Sequence, residues 1–388
     1  MAHVTVAGSG ITGLIASIAL AKDGHTVTVH EGSAHIGGRA RTERRDGYHL
    51  NLGPHALYNG GRLHRALTEF GVEVSGKAPT AGGVAWSDGV AHRLPLSPTG
   101  LLTTDMLSVV DKLDAGRLMA SLPRPLPSET AQAWCQRVTR RPQVRELLGM
   151  LIRLVSYSCR LDQVSMNILH PVLLAATTRG VLYMNGGWQT LIDGLAHAAK
   201  SHGVTIQCGS RLTSLDALPG PAVLCIAPQA VQRLLPEWQW SGQAVKASVL
   251  DVCLTSTPRP DHRFGLGWDD ARYFGMHSAT ADLAPNSGSM LHVLGYMGGD
   301  EPIARADLEA LMDDRQPGWR DVVHHARYLP AVTVSHAHPN AQRSAHQVRE
   351  DVWIAGDWVG PTAILADCAA ESALHSASAV SASLGVCA

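Results

Sequence analysis

Apolar and polar positions in residues 4–31 follow the pattern of a strand, a helix and a second strand. The β-branched run from Val4 to Ala7 predicts a buried strand. The alanine-rich apolar stretch from Leu14 to Ala21 predicts a helix, and Thr26 to Val29 predicts the next strand. These three elements, in this order and at these lengths, form a βαβ unit, which we predict here.

Similar patterns recur along the chain. Residues 100–180 are mostly helical in pattern, and residues 245–254 alternate as a long strand. Val84 to Ala91 predicts a hairpin that turns at Asp88-Gly89. Helices are also predicted at 62–70, 189–201, 303–315 and from about 364, and strands at 72–74, 203–207, 211–215 and 223–228.

The order of these elements predicts an α/β protein with two interleaved domains. A chain of 388 residues is longer than one ordinary domain needs. Elements typical of nucleotide binding lie at both ends and in the middle of the chain. We predict a Rossmann-like nucleotide-binding domain formed by 1–78, 181–244 and 336–388, with an inserted α+β substrate-binding domain formed by 79–180 and 245–335.

The composition excludes several classes of function. The net charge is −1, so no global field attracts nucleic acid or acidic membranes. No apolar run reaches about 18 residues, so we expect no transmembrane segment, while peripheral membrane contact and the oligomeric state stay open. The 20 histidines show no metal-binding spacing, and we expect no metal. Seven cysteines without a CxxC pair, and a strand pattern close to the N-terminus, lead us to expect a cytoplasmic protein with reduced thiols.

The turn between the first strand and helix carries three glycines at the spacing of a dinucleotide site. Gly8 allows a tight turn, Gly10 lets the backbone approach a pyrophosphate, and Gly13 allows close packing of helix on strand. The helix N-terminus at Ile11-Thr12 offers free N–H groups to phosphates. Glu31 lies about 20 residues further on, where a carboxylate binds a ribose hydroxyl. The sequence therefore predicts dinucleotide binding.

Two further motifs, with a third match in the middle of the chain, distinguish FAD from NAD. Gly37 to Thr42 reads GGRART, Asn185 to Leu191 reads NGGWQTL, and Gly356-Asp357-Trp358 precedes the run LADCAAES at 365–372. Together they resemble the flavin-containing amine oxidase / phytoene desaturase / protoporphyrinogen oxidase superfamily. The resemblance implies an FAD-dependent oxidoreductase, and the absence of that superfamily's covalent cysteine motif implies noncovalent FAD.

The resemblance also implies which residues bind FAD. Arg39 would neutralise the pyrophosphate, with Arg41 as a weaker candidate. Asp357 would hold the ribityl or phosphate region, and the N-terminus of the last helix, near Leu365 and Ala366, would face the flavin C2 carbonyl. Leu212, in the strand 211–215, would offer backbone groups to the adenine. The other implied contacts are Gly37, Gly38, Gly53, Pro54, His55, Ala227 and Gly356.

Three residues are candidates for catalysis. Lys246 begins a long strand, where amine oxidases of the superfamily often carry a lysine near flavin N5 that assists reaction with O2. The alternative is a surface lysine at a strand end. His55 and Tyr58 follow Gly53-Pro54 and could act as acid or base, or serve packing alone. Further candidates for the pocket are Tyr157, His277 and His336.

One feature argues against an amine substrate. The position before Ala366-Asp367, which would carry an aromatic residue of the amine cage, is Leu365. Gly356-Asp357-Trp358 is more like the carotenoid-desaturase branch. Residues 145–176 could line a tunnel for a long apolar substrate or form an ordinary helical core.

The expected function is FAD-dependent two-electron dehydrogenation of a small or medium-sized organic substrate. The bond oxidised would be C–C or C–N, with hydride transfer to flavin N5 and reoxidation by O2 or another acceptor. Two alternatives stay open: a non-redox flavoenzyme such as an isomerase or mutase, and a flavin-binding partner protein without turnover. Bulky side chains that block one face of the ring would favour the partner protein.

Overall fold

The computed structural model describes residues 2–80, 82–122, 126, 128–216, 218–340 and 343–386. The strands are β1 (His3–Ala7), β2 (Thr26–His30), β3 (Thr42–Arg45), β4 (Tyr48–Asn51), β5 (Leu57–Tyr58), β6 (Gly76–Lys77), β7 (Val84–Ser87), β8 (Val90–Arg93), β9 (Val181–Met184), β10 (Thr205–Gln207), β11 (Ala222–Leu224), β12 (Val245–Leu254), β13 (Phe264–Gly267), β14 (Arg272–Met276), β15 (Ser289–Tyr296), β16 (Val323–Ser335), β17 (Gln347–Arg349) and β18 (Val352–Ile354). The helices are α1 (Ile11–Lys22), α2 (Arg62–Glu69), α3 (Pro98–Thr103), α4 (Val109–Ser121), α5 (Ala131–Val138), α6 (Pro142–Ser156), α7 (Met166–Arg179), α8 (Gln189–Ser201), α9 (Pro228–Leu234), α10 (Arg305–Arg315) and α11 (Leu365–Ser383).

The first sheet has the strand order β10-β2-β1-β11-β18-β17 and confirms the predicted Rossmann-like α/β fold. Its strands run parallel except for β17, which pairs antiparallel with β18 at the edge. Val4, Val6 and Val29 are fully buried, because a parallel sheet is covered on both faces. Helices α1, α8 and α11 pack together over one face, and α9 packs on the other.

The carboxyl ends of β1, β2, β11 and β18 lie along one edge of this sheet. Gly8, Glu31, Cys225 and Ala355 directly follow these four strands. Ligands of open α/β sheets bind in the crevice outside this edge. The topology alone therefore brings the glycine turn, Glu31 and Gly356-Asp357 to one place.

The second sheet has the strand order β16-β12-β15-β14-β13-β7-β8 and is antiparallel apart from the β7–β13 pair. One face packs against α4–α7 through residues such as Val249 and Leu294. The other face packs against α10 through Leu250 and Val293. Its strands come from the ranges 84–93 and 245–335, which lie within the predicted substrate-binding domain. The boundaries of the two domains stay a prediction.

The local predictions are confirmed for α1, α2, α8, α11 and the β7–β8 hairpin. Two predicted strands are wrong. Residues 72–74 pair with no strand, since the pairing with β9 is made instead by β6 at Gly76–Lys77. Residues 211–215 are a loop beyond the edge strand β10, with no neighbouring strand to bond, so Leu212 lies on a loop. Helix α10 begins at Arg305, two residues later than predicted, and the Ile303 N–H outside it donates to Ser248 Oγ.

Within the described part of the chain, no helix combines the length and the hydropathy needed to cross a bilayer. The six cysteines that the structure describes are free thiols.

Replacing Gly13 with alanine should destabilise the fold. A Cβ atom at Gly13 would lie 1.8 Å from Gly8 O, a backbone atom that cannot rotate away. We expect a loss of about 3 kcal/mol, at the upper end for overpacking. The matched control is Gly116→Ala in α4, where a Cβ meets nothing within 4 Å and better helix propensity should add up to about 1 kcal/mol. Urea unfolding of both variants measures the difference, and equal midpoints would contradict this account of α1 packing.

Candidate cofactor and substrate site

A cavity of about 1460 Å³ lies between the carboxyl edge of the first sheet and the second sheet. It exceeds the roughly 300–1,000 Å³ of ordinary small-molecule sites, so it has room for a dinucleotide and a second molecule. We call one part the dinucleotide end; it is lined by Gly8, Gly10, Ile11, Thr12, Glu31, Gly37, Gly38, Arg39, Leu212, Ala227, Gly356 and Asp357. We call the other part the chamber; it is lined by Pro54, His55, Tyr58, Tyr157, Tyr183, Val249, Tyr273, His277, Leu294 and Leu329.

The glycine turn leaves space and donors for phosphate. A Cβ at Gly10 would meet only Gly37 O, at 3.9 Å, so the backbone there is open to the cavity. Helix α1 has neither a side-chain cap nor an acidic residue in its first turn. Its first N–H groups have no partners inside the helix and suit an anion. This end of the cavity therefore fits the pyrophosphate of FAD.

Glu31 is held in place by the same turn. One carboxylate oxygen accepts hydrogen bonds from Ser9 N at 2.9 Å and Ser9 Oγ at 2.7 Å. The other accepts from Ser33 N at 2.8 Å. Carboxylate oxygens accept more than one hydrogen bond, so Glu31 retains capacity for a ribose hydroxyl.

An ion pair between the half-exposed Arg39 and the buried Asp357 lies at the dinucleotide end. Arg39 Nη1 donates to Asp357 Oδ2 at 2.8 Å and to Val334 O at 3.0 Å. The His336 ring is 3.1 Å from Asp357 Oδ1. Burial alone would raise the pKa of Asp357, but Arg39 and His336 outweigh it and hold that pKa well below its usual range. Both hydrogen bonds of Arg39 use Nη1, so its other N–H donors suit a phosphate. His336 instead contacts Asp357.

The N-terminus of α11 reaches the cavity at Leu365 and Ala366. The helix has no side-chain cap there, so its dipole and free N–H groups suit the electron-rich side of a reduced flavin. Ala363 and Leu365 both adopt left-handed backbone conformations, with φ of 58° and 51°. Arg343, which is buried, donates from Nη1 to Ala363 O at 2.8 Å and so helps to hold this strained entry.

Tyrosine and histidine side chains form much of the chamber wall. The Tyr58 hydroxyl donates to Val155 O at 3.1 Å, and the Tyr157 hydroxyl donates to Pro54 O at 3.3 Å. The Tyr273 hydroxyl lies 2.8 Å from His277 Nε2. Burial raises the pKa of all three tyrosines and lowers the pKa of His277 well below its ordinary value. These groups are therefore uncharged at neutral pH.

His55 and Trp188 meet between the two parts of the cavity. The His55 Nδ1–H donates to Gly53 O at 3.0 Å, and burial lowers the His55 pKa. Its ring packs edge-on against Trp188, with centroids 4.9 Å apart. The Trp188 indole N–H is buried and has no hydrogen-bond partner among the described residues. Trp188 therefore lines the cavity while its indole N–H stays unpaired among the described residues.

A charged network lies directly behind the chamber. His292 Nδ1 donates to Asp251 Oδ1 at 2.6 Å, and both side chains are fully buried. Arg327 Nη2 donates to Asp251 Oδ2 at 2.6 Å and also to Asn51 O. Arg327 Nη1 reaches Glu43 Oε2 at 2.9 Å. No cluster of three or more possible metal ligands is gathered within the described ranges.

The structure does not bring Lys246 to the cavity, so the prediction that it faces the flavin is wrong. Its ammonium pairs with Asp300 at 2.7 Å, and Lys246 is absent from the cavity wall. The reason is strand alternation: Ala247 and Val249 of β12 face the cavity side, so Lys246 falls on the opposite face.

Three other predicted cofactor residues lie just outside the wall. Arg41 is exposed and packs its stem near Gly37. Gly13 supports the glycine turn from below, and Gly53 packs against Val249, where a Cβ would come within 3.2 Å. The wall residues Tyr183, Tyr273 and Trp188 were not singled out in the sequence. For the two tyrosines, the one sequence feature that could have pointed to them is that tyrosine is rare in this chain. The chain has seven tyrosines, and four of them line this cavity.

A parallel sheet with an open glycine turn, a carboxylate and an arginine at its carboxyl edge, and two uncapped helix N-termini is typical of Rossmann-like dinucleotide-binding proteins. Sequence comparison agrees with this class. The chain belongs to the family of flavin containing amine oxidoreductases, whose model matches residues 11–381.

Similarity to individual proteins is local in sequence and broad in structure. An L-amino acid oxidase of Bothriechis schlegelii is 45% identical over 76 residues, which are 19% of this chain and 15% of that protein. An oxidoreductase of Methanosarcina mazei superposes with a TM-score of 0.77 at 18% identity, over 96% of this chain and 99% of the other. Cyclohexylamine oxidase of Brevibacterium oxydans superposes with a TM-score of 0.71 at 14% identity, over 99% of both chains. The structural similarities establish the fold.

Arg39→Ala should purify with much less flavin than the parent protein, because it removes the cation nearest the phosphate region. The matched control is Arg41→Ala, which removes an exposed arginine two positions away and should retain flavin normally. The ratio of flavin to protein absorbance, followed by titration of stripped protein with FAD, measures retention. Full retention by the Arg39 variant, or equal loss in both, would overturn the assignment of Arg39 to the pyrophosphate.

Proposed function

We propose that the protein is an FAD-dependent oxidoreductase that removes a hydride and a proton from an organic substrate held in the chamber. FAD, when bound, accepts the hydride and supplies the redox chemistry. The observation that carries the proposal is the continuity of one cavity from the glycine turn to the chamber. A cofactor lying along the dinucleotide end would present its reactive ring to whatever the chamber holds.

Oxidation of a C–N bond is the first candidate reaction. Membership of a family described as amine oxidoreductases supports it. The names of the compared oxidases support O2 as the acceptor. Desaturation of a C–C bond is a second candidate, favoured by the apolar lining that Val249, Leu294 and Leu329 give to the chamber.

The residues of this chain would bind, orient and exclude water. The N-terminus of α11 would stabilise negative charge on the reduced ring. The aliphatic wall of β12, β15 and β16 would keep water from the reacting carbon. The chamber is open rather than filled by bulky side chains, which argues against a flavin bound for structural reasons alone.

Anaerobic absorbance spectroscopy tests the proposal. The flavin-loaded protein is mixed with a panel of amines and apolar alkenes, and air is then admitted. We expect one class to bleach the flavin band and air to restore it, which would identify both the bond type and the acceptor. Conversion of a substrate without net oxidation would point to an isomerase instead, and a panel without any bleaching or conversion would contradict an oxidoreductase acting on these classes.

Lys246→Met should leave flavin reduction and reoxidation unchanged, because its ammonium pairs with Asp300 outside the cavity. Lys200→Met, at the end of α8, is the matched surface control. Stopped-flow mixing of reduced protein with O2 measures reoxidation. A slowing of about tenfold or more in the Lys246 variant alone, or about 1.4 kcal/mol, would return that lysine to the reaction.

A further inference from the structure

The charged side chains that line the cavity are confined to places away from the chamber. Among the described residues they lie at the dinucleotide end and at the exposed rim, apart from one carboxylate at the start of α11. They are Glu31, Arg39, Arg211, Arg233 and Asp357 at the dinucleotide end, Asp261 and Arg263 at the rim, and Asp367.

None of these charges is available to a substrate in the chamber. Both carboxylate oxygens of Asp367 face the N-terminus of α2: Oδ1 accepts the Leu63 N–H at 2.9 Å, and Oδ2 lies where a Cβ at Gly61 would come within 2.4 Å of it. Asp261 is 67% exposed and carries the opposite charge to its neighbour Arg263, so the rim favours neither sign. Asp251 lies behind the wall, where Arg327 and His292 already satisfy it.

A charged substrate would therefore meet no partner. Moving an ammonium or carboxylate out of water without a counter-charge costs several kcal/mol. The faces of nearby tyrosine rings return only about 0.5–2 kcal/mol to a cation. Because the cost of desolvation exceeds the gain from the tyrosine rings, the chamber disfavours a substrate of either charge.

The polar groups of the wall point to a hydrogen-bond donor. The single protons of Tyr58 and Tyr157 are committed to the carbonyls of Val155 and Pro54. Their phenol oxygens can then only accept. The Tyr157 bond fixes its hydroxyl at Pro54, one of the residues that the family resemblance implies as FAD contacts.

From these two observations we infer that the substrate binds without charge, as an apolar body bearing an N–H or O–H group that donates to the phenol oxygen of Tyr58 or Tyr157. An uncharged amine or an alcohol meets this description. An α-amino acid and a diamine in their charged forms do not. The inference rests on the proposed function only in taking the chamber as the substrate site.

Equilibrium binding to the flavin-loaded protein, kept anaerobic, tests the inference with probes that share a cyclohexyl ring and differ in their polar group. The probes are cyclohexanol, cyclohexanone, cyclohexanecarboxylate and cyclohexyltrimethylammonium, and calorimetry or flavin difference spectra give each Kd. We expect cyclohexanol to bind tightest. Cyclohexanone, which has no donor, should bind several-fold more weakly, and each ion at least tenfold more weakly. An ion that binds as tightly as cyclohexanol, or failure of cyclohexanol to bind at millimolar concentration, would overturn the inference.

Tyr58→Phe and Tyr157→Phe separate the acceptor role from packing. Cyclohexanol donates its one proton to one phenol oxygen, so at least one of the two variants should weaken cyclohexanol binding by about two- to tenfold, and both should leave cyclohexanone binding unchanged. Tyr328→Phe is the matched control, since its hydroxyl donates to Ile303 O outside the cavity. Cyclohexanol binding that is equal in all three variants and the parent would rule out the phenol acceptors.

The binding assay also separates failure of this inference from failure of the proposed function. If the predicted preference holds but no compound reduces the flavin, the oxidoreductase proposal fails and the inference stands. If a charged amino acid or diamine binds tightest and bleaches the flavin, the inference fails and the oxidoreductase proposal stands.

Discussion

The close approach of α1 to β1 is the constraint on which the cofactor end depends. Gly8 and Gly13 allow it, and any side chain at Gly13 would strike the backbone of Gly8. Ser9, held between them, accepts the Gly37 N–H at 2.9 Å and donates to Glu31. The phosphate donors, the ribose acceptor and the GGRART loop are therefore fixed relative to one another by one tight turn.

The two ends of the cavity differ in how they treat charge. At the dinucleotide end, Asp357 stays ionised while 2% exposed because Arg39 and His336 face it. In the chamber, burial keeps tyrosine and histidine side chains neutral. A cofactor with charged phosphates in one part and an uncharged reactive ring in another matches this division of the cavity.

The sequence predicted what depends on local pattern and failed where distant segments decide. The βαβ unit, the glycine turn and α11 follow from periodicity and motif, and they fix the dinucleotide end. Tyr183 and Tyr273 meet in the chamber from strands 90 residues apart, which no local pattern encodes. The prediction for Lys246 was wrong because side chains alternate between the two faces of β12. A shift of one residue along the strand moves a side chain to the opposite face of the sheet.

Arg327 joins the second sheet to the β3–β4 hairpin. It contacts Asp251 on β12 as well as Glu43 and Asn51 O on the hairpin. Pulling the hairpin away would leave Asp251 paired with Arg327, since both lie on the second sheet, but would remove Glu43 and Asn51 O from Arg327. One arginine thus ties the second sheet to the hairpin that leads into the cavity residues Leu52 and Pro54. A bound cofactor should accordingly leave by local opening at the rim of the cavity rather than by separation of this hairpin from the second sheet.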